Sequence, residues 1–426
     1  MSKEMKLIPE LRFPEFDRAS EWQLQPLRKV LIKNSKKNKS LKHNLVQSVS
    51  NKHGFINQED YFDNRRVASK DTSNYYVIKK GYFAYNPSRI DVGSLAYQHE
   101  NITSIISPLY VSFQANYEEV DDIFLLNWFF SDQFSSQLIF EGGVRNTLSY
   151  ENLVQINITL PSIPEQQKIA SCLSSLDELI AAHKDKLDAL KDHKKGLLQN
   201  LFPQEGESVP KVRFPEFEGD GEWVEKKLID TTDKKVKWSF TGGPFGSNLK
   251  ANDYTTEGIR IIQLQNIGDG MFNDDNKIYT SVEKADELLS CNIYAGDIII
   301  SKMGDPVGRA CIIPNNLERC VMASDGIRLV VDENKFSKYF IYSLLNSKRI
   351  RKTIQSKSTG STRKRIGLNP LRETELIVPK DLKEQQKIAS CLSAVDELII
   401  AQQEKIDELQ QHKKGLMQGL FPKIER

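Results

Sequence analysis

The chain has 426 residues, with 59 lysines and arginines, 57 aspartates and glutamates, and 39% hydrophobic residues. That length predicts about two to four domains, and the composition excludes a chain that is disordered throughout. No stretch approaches the roughly 18 apolar residues of a transmembrane helix, no apolar signal core follows the N-terminal charges, and the five cysteines do not form a disulfide framework. We therefore expect a cytoplasmic protein that does not associate with a membrane.

A short aromatic motif near the N-terminus recurs in the middle of the chain. The sequence RFPEF at 12–16 returns at 213–217, and Glu-Trp follows each copy, at 21–22 and 222–223. Clustered aromatic residues usually pack into a core. We call each copy a strap and expect its aromatic side chains to fasten a domain to a neighbouring element.

The segments 23–160 and 224–378 mix strand and helix patterns. Short runs rich in β-branched and aromatic residues predict strands at 75–78, 82–85, 110–113, 259–264, 297–301 and 327–331. Longer patterns predict helices over 123–137 and 338–354. The segments match each other only in patches, such as Gly142, Arg145 and Leu148 with Gly360, Arg363 and Ile366. We therefore expect one fold with two different surfaces.

The residues 165–203 repeat at 384–422 without gaps, and 27 of the 39 positions are identical. Apolar residues alternate four and three apart over five heptads, as in the seam of a coiled coil. The seam residues are Ile169, Leu173, Leu176, Ile180, Leu187, Leu190 and Leu197 in the first copy and Ile388, Leu392, Val395, Ile399, Ile406, Leu409 and Leu416 in the second. Capping boxes, Ser162 with Glu165 and Asp381 with Glu384, predict the helix starts. A narrow seam needs a partner, so we expect the two helices to pair with each other.

These features predict the domain organisation. It consists of a globular domain with its strap at 1–160, a long helix at 161–203, a polar linker at 204–210, a second globular domain with its strap at 211–380 and a second long helix at 381–426. The residues alone leave open whether the helices pair parallel or antiparallel.

The duplicated order of strap, divergent domain and EQQKIASCL helix resembles the specificity subunit of type I restriction–modification systems, over almost the whole chain. The resemblance implies an α+β fold, with mixed α/β domains and pseudo-two-fold duplication. Two globular target-recognition domains would be joined by two long helices that form an intramolecular antiparallel coiled coil. Each domain would read one half of an asymmetric bipartite DNA target.

The resemblance also implies the partners. We expect double-stranded DNA, two methyltransferase subunits and, where the complex restricts DNA, translocase–nuclease subunits. S-adenosylmethionine, ATP and Mg²⁺ are expected in those partner subunits, with no cofactor and no metal in this chain. Its nearest approach to an adenine-methyltransferase loop, Asn86-Pro87-Ser88-Arg89, lacks the second proline and the aromatic residue. We therefore expect a non-catalytic subunit. A coiled-coil assembly or scaffold protein without base-specific DNA reading is the alternative.

Two basic runs are candidates for DNA contact. Residues 33–42 contain five lysines, and residues 348–365 contain eight basic residues, with no acid in either run. Lysine and arginine bind phosphates, and arginine can also donate two hydrogen bonds to guanine. A solvated surface would give the same pattern. The loop 242–248 resembles one that recurs in these recognition domains, although a tight turn is also consistent with its glycines. The candidate DNA-binding residues are Lys36, Lys37, Lys39, Arg89, Arg145, Phe245, Ser247, Lys302, Arg309, Lys357, Arg363, Lys364 and Arg365.

Overall fold

The computed structural model describes residues 7–58, 69, 71–138, 147–361 and 363–422. The chain divides into two compact units. The first unit comprises Met1–Lys184 with Glu404–Arg426, and the second comprises Asp185–Gln403. Each unit therefore contains one globular domain and a part of both long helices. Within the described part of the chain, no helix is long and apolar enough to cross a membrane.

The described residues of the first unit form two four-stranded sheets and one strand pair. The sheet orders are β2-β9-β6-β7, β4-β3-β8-β5 and β1-β10. The strands are β1 (Gln23–Pro26), β2 (Leu31–Lys33), β3 (Val46–Ser50), β4 (Gly54–Asn57), β5 (Tyr76–Ile78), β6 (Tyr82–Tyr85), β7 (Leu95–Tyr97), β8 (Ser104–Ile106), β9 (Val111–Ala115) and β10 (Asn157–Leu160). The helices are α1 (Leu27–Val30), α2 (Asp122–Phe129), α3 (Asp132–Ser135), α4 (Tyr150–Leu153) and the long α5 (Ile163–Asn200).

The second unit repeats this plan with a larger second sheet. Its sheet orders are β12-β20-β17-β18, β13-β15-β14-β19-β16 and β11-β21. The strands are β11 (Val224–Lys227), β12 (Phe240–Gly242), β13 (Tyr254–Thr255), β14 (Ile259–Ile262), β15 (Ile278–Thr280), β16 (Asn292–Tyr294), β17 (Ile298–Ser301), β18 (Ala310–Ile312), β19 (Arg319–Met322), β20 (Gly326–Leu329) and β21 (Glu375–Val378). The helices are α6 (Val282–Glu287), α7 (Lys338–Leu345), α8 (Lys348–Ser356), α9 (Leu368–Arg372) and the long α10 (Leu382–Leu420).

Strands occur at all of the predicted strand segments, but each predicted domain helix is two shorter helices. The break falls after α2 in the first unit and after α7 in the second. In the second unit Ser347 caps the new helix, because its hydroxyl accepts a hydrogen bond from the backbone N–H of Ile350. The pairs β1-β10 and β11-β21, each formed by two four-residue strands, were not predicted.

Each strap is bound to the start of a long helix through one buried glutamate. Glu165, which is 1% exposed, accepts from the Nε and Nη2 atoms of Arg12, both at 2.8 Å, and from the Trp22 indole at 3.2 Å. A buried carboxylate requires such partners. The hydrogen bond to Glu165 raises the pKa of Arg12. The glutamate assigned to a capping box therefore serves as the strap's anchor.

The second unit repeats this anchor almost atom for atom. Arg213 donates to Glu384 at 2.7 and 2.8 Å, and the Trp223 indole donates to the same carboxylate at 3.1 Å. The pKa of Arg213 is raised by its hydrogen bond to Glu384. The two straps share their sequence motifs because each binds the glutamate at the start of a long helix through the same arginine and tryptophan contacts.

The straps also hold the end of the other long helix. In the first unit, the backbone N–H of Leu11 donates to the Gly419 carbonyl at 2.8 Å, and the Phe421 ring lies 6.5 Å from that of Trp22. The corresponding bond in the second unit joins Val212 to the Asn200 carbonyl at 3.0 Å. Each unit core thus contains the start of one long helix and the end of the other.

Two ion pairs establish the direction of the helix pairing. Lys413 Nζ lies 2.6 Å from Asp177 in the first unit, and Lys194 Nζ lies 2.6 Å from Asp396 in the second. Between these two pairs the residue number rises along one helix while it falls along the other, so the helices are antiparallel. All fourteen predicted seam residues are buried or half-buried.

Candidate nucleic-acid interface

Three loops of the second unit leave its four-stranded sheet at the same end. Strands β12 and β17 finish at this end, and strands β20 and β18 begin there, because β20 is antiparallel to both β12 and β17, and β17 is antiparallel to β18. The loops are 243–248, 302–309 and 323–325. This end of the sheet, together with the basic loop described next, residues 358–361 and 363–366, is called the second loop face.

Backbone hydrogen bonds join these loops to each other and to the basic loop. The N–H of Lys302 donates to the Asp325 carbonyl at 2.6 Å, and the N–H of Gly304 donates to the Lys364 carbonyl at 3.2 Å. The N–H of Ile366 donates to the Lys302 carbonyl at 2.9 Å. The basic loop is therefore tied to the sheet end, although it is distant in sequence.

The glycine-rich loop is also tied to this end of the sheet. The N–H of Gly243 donates to the Gly326 carbonyl at 2.8 Å. A Cβ atom at Gly243 would lie 1.8 Å from the Ala323 carbonyl oxygen, so no larger residue fits without a backbone shift. The glycine allows the loop to approach the neighbouring turn closely.

Seven of the candidate DNA-binding residues belong to the second loop face. Phe245, Ser247, Arg363 and Arg365 are exposed there, whereas Lys302, Arg309 and Lys364 are half-buried among the loops. The face also contains two carboxylates, Asp305 and Asp325. Cationic side chains outnumber carboxylates on this face, and such a balance suits a phosphate backbone.

The helical half of the second basic run has partners within its own unit. Arg349 donates to the Gln204 carbonyl at 3.1 Å, and Lys352 donates to Glu205 at 2.7 Å. Arg351, whose pKa is lowered by burial, forms an ion pair with Asp269. Lys357 ends the helix and donates to a backbone carbonyl at 3.0 Å. The run is therefore not one continuous surface, and a DNA role for Lys357 stays a prediction.

The first unit has a matching loop face at the same end of its own sheet. Strands β2 and β6 end there and β9 and β7 begin there, with the loops 34–45, 86–94 and 107–110. The N–H of Leu148 donates to the Pro87 carbonyl at 3.0 Å, as Ile366 does to Lys302 in the second unit. The two loop faces thus have the same architecture.

Two of the three candidate lysines of the first loop face contact neighbouring side chains. Lys36 is exposed, the Lys37 ammonium lies 3.0 Å from the centre of the Tyr76 ring, and Lys39 donates to Asn74 at 3.1 Å. Arg89 is exposed in the loop 86–94. These residues share one face, and their role in DNA contact stays a prediction.

Arg145, the first unit's counterpart of Arg363, lies outside the described residues. Leu109 is the residue of this face that the sequence did not indicate. Its side chain is 82% exposed in the turn 107–110. A Pro-Leu pair between two predicted strands was the available signal, but a leucine next to a strand usually suggests core packing.

The buried thiols of the second unit are not prepared for metal binding. Burial raises the pKa values of Cys311 and Cys320 to about 12, so both thiols stay protonated near neutral pH. Across the described residues, no group of three or more histidine, cysteine, aspartate or glutamate side chains has the arrangement of a metal site.

Comparison with protein families gives one matching model over most of the chain. The model of the type I restriction modification DNA specificity domain matches residues 20–192 and again residues 222–411. Each match contains one globular domain and most of one long helix.

Curated relatives and solved structures agree with that match. The specificity subunit of the type I restriction enzyme MjaVIII of Methanocaldococcus jannaschii is 24% identical over 272 residues, which cover 62% of this chain and 61% of the relative. The putative MjaX specificity subunit of the same organism is 26% identical over 286 residues, covering 65% of this chain and 61% of that relative. The chain thus spans about three-fifths of the length of these relatives.

Two solved structures share the fold. The S subunit of the type I restriction–modification system from M. genitalium has a TM-score of 0.57 at 14% identity, with 98% of this chain and 100% of that chain covered. A chain from a structure on complex assembly and conformational transition of the type I R-M system has a TM-score of 0.55 at 18% identity, with 94% and 97% covered.

Proposed function

The chain belongs to the family of type I restriction–modification DNA specificity domains, and on that premise we propose that it is the sequence-reading subunit of a type I complex. Its target would be an asymmetric bipartite DNA sequence. The observation that supports this most is the pair of loop faces. They lie at corresponding ends of equivalent sheets in the two units but carry different side chains. Two loop faces with different side chains would recognise two different half-sites.

Reading would combine phosphate contacts with base contacts. Lys302 and Lys364 are suited to fix the register on phosphates, whereas Arg363 and Arg365 are suited to reach base edges. An arginine can donate two hydrogen bonds to guanine O6 and N7. The first loop face presents mainly lysines, whose ammonium groups act as point charges and lack the paired donors of a guanidinium. The second half-site would therefore depend more on arginine–guanine pairing.

The repeated helices would bind two methyltransferase subunits. Since 27 of 39 positions are identical between the copies, including all of 165–174 with 384–393 and of 193–197 with 412–416, both helices share much of their exposed surface. A partner that binds one copy should bind the other in the same way. Translocase–nuclease subunits would join where the complex restricts DNA. S-adenosylmethionine, ATP and Mg²⁺ would belong to these partners in the cytoplasm, and this chain would contribute no catalytic group.

The test of the reading function is a map of methylated adenines. Genomes are compared from cells that express the methyltransferase subunit with this chain and without it. A split, asymmetric motif that appears only with the chain is the expected result. An unchanged map, with both subunits expressed and associated, would favour a coiled-coil scaffold that does not read bases.

Partner docking has a separate test. Glu178 and Glu397 occupy equivalent exposed positions of the two long helices. We expect the paired change Glu178→Lys with Glu397→Lys to reduce co-purification of the methyltransferase subunit, because both copies of the surface reverse charge together. Glu257→Lys, at an exposed position outside the helices, is the control. Full retention of the partner by the double variant would place the docking surface elsewhere.

A further inference from the structure

Two large apolar side chains project almost fully into solvent. Phe245 is 84% exposed and Leu109 is 82% exposed, whereas Tyr117, the next most exposed large apolar side chain in the described chain, is at 57%. Single exposed apolar residues are ordinary on protein surfaces. The position of these two is unusual, because one lies on each loop face.

The two residues reach the loop faces from different loops. Phe245 follows strand β12, in the loop 243–248. Leu109 precedes strand β9, in the turn 107–110, which corresponds to the turn 323–325 of the second unit. Each unit therefore presents one apolar side chain at the corresponding end of its four-stranded sheet, but the side chain comes from a different loop in each unit.

Both loops are held by backbone hydrogen bonds near the apolar residue. The N–H of Asn248 donates to the Phe245 carbonyl at 2.8 Å, so the loop closes as a turn that begins at Phe245. The N–H of Leu109 donates to the Ser107 hydroxyl at 3.3 Å, and the N–H of Tyr110 donates to the Ser107 carbonyl at 3.1 Å. Ordered turns keep the side chains presented, which limits the entropy lost when they bind.

The surroundings favour nucleic acid over protein as the occupant. Phe245 shares its face with Lys302, Arg363 and Arg365, and Leu109 shares its face with Lys36. A contiguous apolar patch is typical of a protein interface, whereas one apolar side chain among cations matches a duplex, which has charged strands outside and apolar base faces inside.

We infer that Phe245 and Leu109 are wedges that insert between neighbouring base pairs, one in each half of the target. Phenylalanine and leucine are among the side chains that proteins insert in this way, and insertion partly unstacks and kinks the duplex. Because pyrimidine–purine steps unstack most easily, each wedge selects its half-site through deformability rather than through hydrogen bonds to bases. The inference rests on the proposed DNA-reading function and adds a second mode of selection to it.

The experiment uses the full chain assembled with its methyltransferase subunits and the DNA duplex that methylation mapping defines. The fluorescent base 2-aminopurine replaces one base at a time in each half-site. The methylated adenines are left unlabelled, because a methyltransferase extrudes its own target base. Unstacking beside a wedge raises the fluorescence of the labelled base.

The wild-type complex is expected to show one bright step in each half-site. Phe245→Ala should remove the bright step from one half only and weaken binding about tenfold, the size expected when one base–aromatic stack is removed. Leu109→Ala should remove the step from the other half, with a smaller loss of affinity. Phe245→Trp should keep the step, and Leu24→Ala, at a partly exposed leucine of the first unit, should leave both steps and the affinity unchanged.

The outcomes distinguish a failure of base-pair insertion by Phe245 and Leu109 from a failure of the proposed DNA-reading function. If the wild-type complex binds its target specifically but Phe245→Ala and Leu109→Ala leave fluorescence and affinity unchanged, the wedges are refuted while DNA reading stands. If the wild-type complex shows no preference for the target over a scrambled duplex, the proposed function itself is refuted.

Discussion

Both units use one buried glutamate to anchor a strap, and the two anchors have the same geometry. The strap arginine and tryptophan donate to Glu165 in the first unit and to Glu384 in the second, with no distance differing by more than about 0.1 Å. The loop faces differ instead. Lysines dominate the first face, and arginines with an exposed phenylalanine dominate the second.

That contrast shows which positions of the duplicated chain are free to diverge. An anchor contacts a helix that is repeated almost unchanged, so its arginine, tryptophan and glutamate must stay complementary to one another. The exposed side chains of a loop face contact only solvent or a ligand, so substitutions at those positions leave the fold intact and alter what is bound. Duplication thus preserves assembly and allows recognition to change.

The strongest test of this contrast removes the anchors. Glu384→Ala leaves Arg213 without its carboxylate at a site where the arginine side chain is 11% exposed. Breaking a buried pair in this way costs about 3–5 kcal/mol. We expect the free energy of unfolding of the second unit to fall by about that amount, and Glu165→Ala to do the same in the first unit. Hydrogen exchange of peptides from each unit measures the two effects separately.

An exposed ion pair beside the anchor is the matched control. Lys387 lies 3.2 Å from Glu216, with the two side chains 51% and 47% exposed. Exposed pairs contribute about 0–1 kcal/mol, so Lys387→Ala should change stability little. Equal destabilisation by Lys387→Ala and Glu384→Ala would mean that the buried glutamate is not the anchor.

The next test concerns charge on the second loop face. Replacing Arg363, Lys364 and Arg365 together by alanine should weaken DNA binding and leave partner assembly intact. For every phosphate that the variant no longer neutralises, the slope of log affinity against log salt should become shallower by about 0.9. Titrations at several salt concentrations measure that slope. Lys352→Ala, in the same basic run but paired with Glu205, should leave the slope unchanged. An unaltered slope in the triple variant would remove this loop from the interface.

A smaller difference is expected between the two ion pairs of the long helices. Lys194 and Asp396 are 18% and 20% exposed, whereas in the other unit Lys413 is 21% and Asp177 is 53% exposed. Asp396 also accepts a hydrogen bond from the Tyr339 hydroxyl. Lys194→Ala should therefore cost about 1–2 kcal/mol and Lys413→Ala less than about 1 kcal/mol. Chemical denaturation of both variants tests the order, which a larger effect of Lys413→Ala would reverse.

The smallest predicted effect is a pH dependence confined to the first unit. Burial lowers the pKa of His99 even though Asp122 and Asp177 oppose the shift. Because the unfolded chain takes up the proton at the usual pKa near 6.5, stability should fall as the pH drops below about 6.5 and level off below the folded-state pKa. Denaturation of the wild type and of His99→Gln between pH 7 and pH 5 measures this. The variant should lack that component, and identical pH profiles would contradict it.

Much of the architecture was predictable from the sequence, because the duplication is explicit. A gapless repeat and a sustained heptad pattern indicated both long helices. The role of Glu165 was not predictable, since a glutamate three residues after a serine also fits a capping box. Its partner Arg12 is more than 150 positions away, and only the folded chain brings them together.

The candidate interface was predictable in part. The basic character of 348–365 was visible, but the sequence did not separate Arg349, which binds linker carbonyls, and Arg351, which pairs with Asp269, from the arginines of the loop. That separation depends on where helix α8 ends and on the hydrogen bond between Gly304 and Lys364. Leu109 was missed because hydrophobicity alone does not distinguish a core leucine from one at the tip of a turn.

A domain exchange decides whether each unit reads its own half of the target. Residues 23–160 are replaced by the corresponding domain of another member of the family, and methylated adenines are mapped with the unchanged methyltransferase subunit. We expect a new motif in which one half changes and the other half stays the same. A motif in which both halves change, or in which neither does, would show that the two units do not read separate halves.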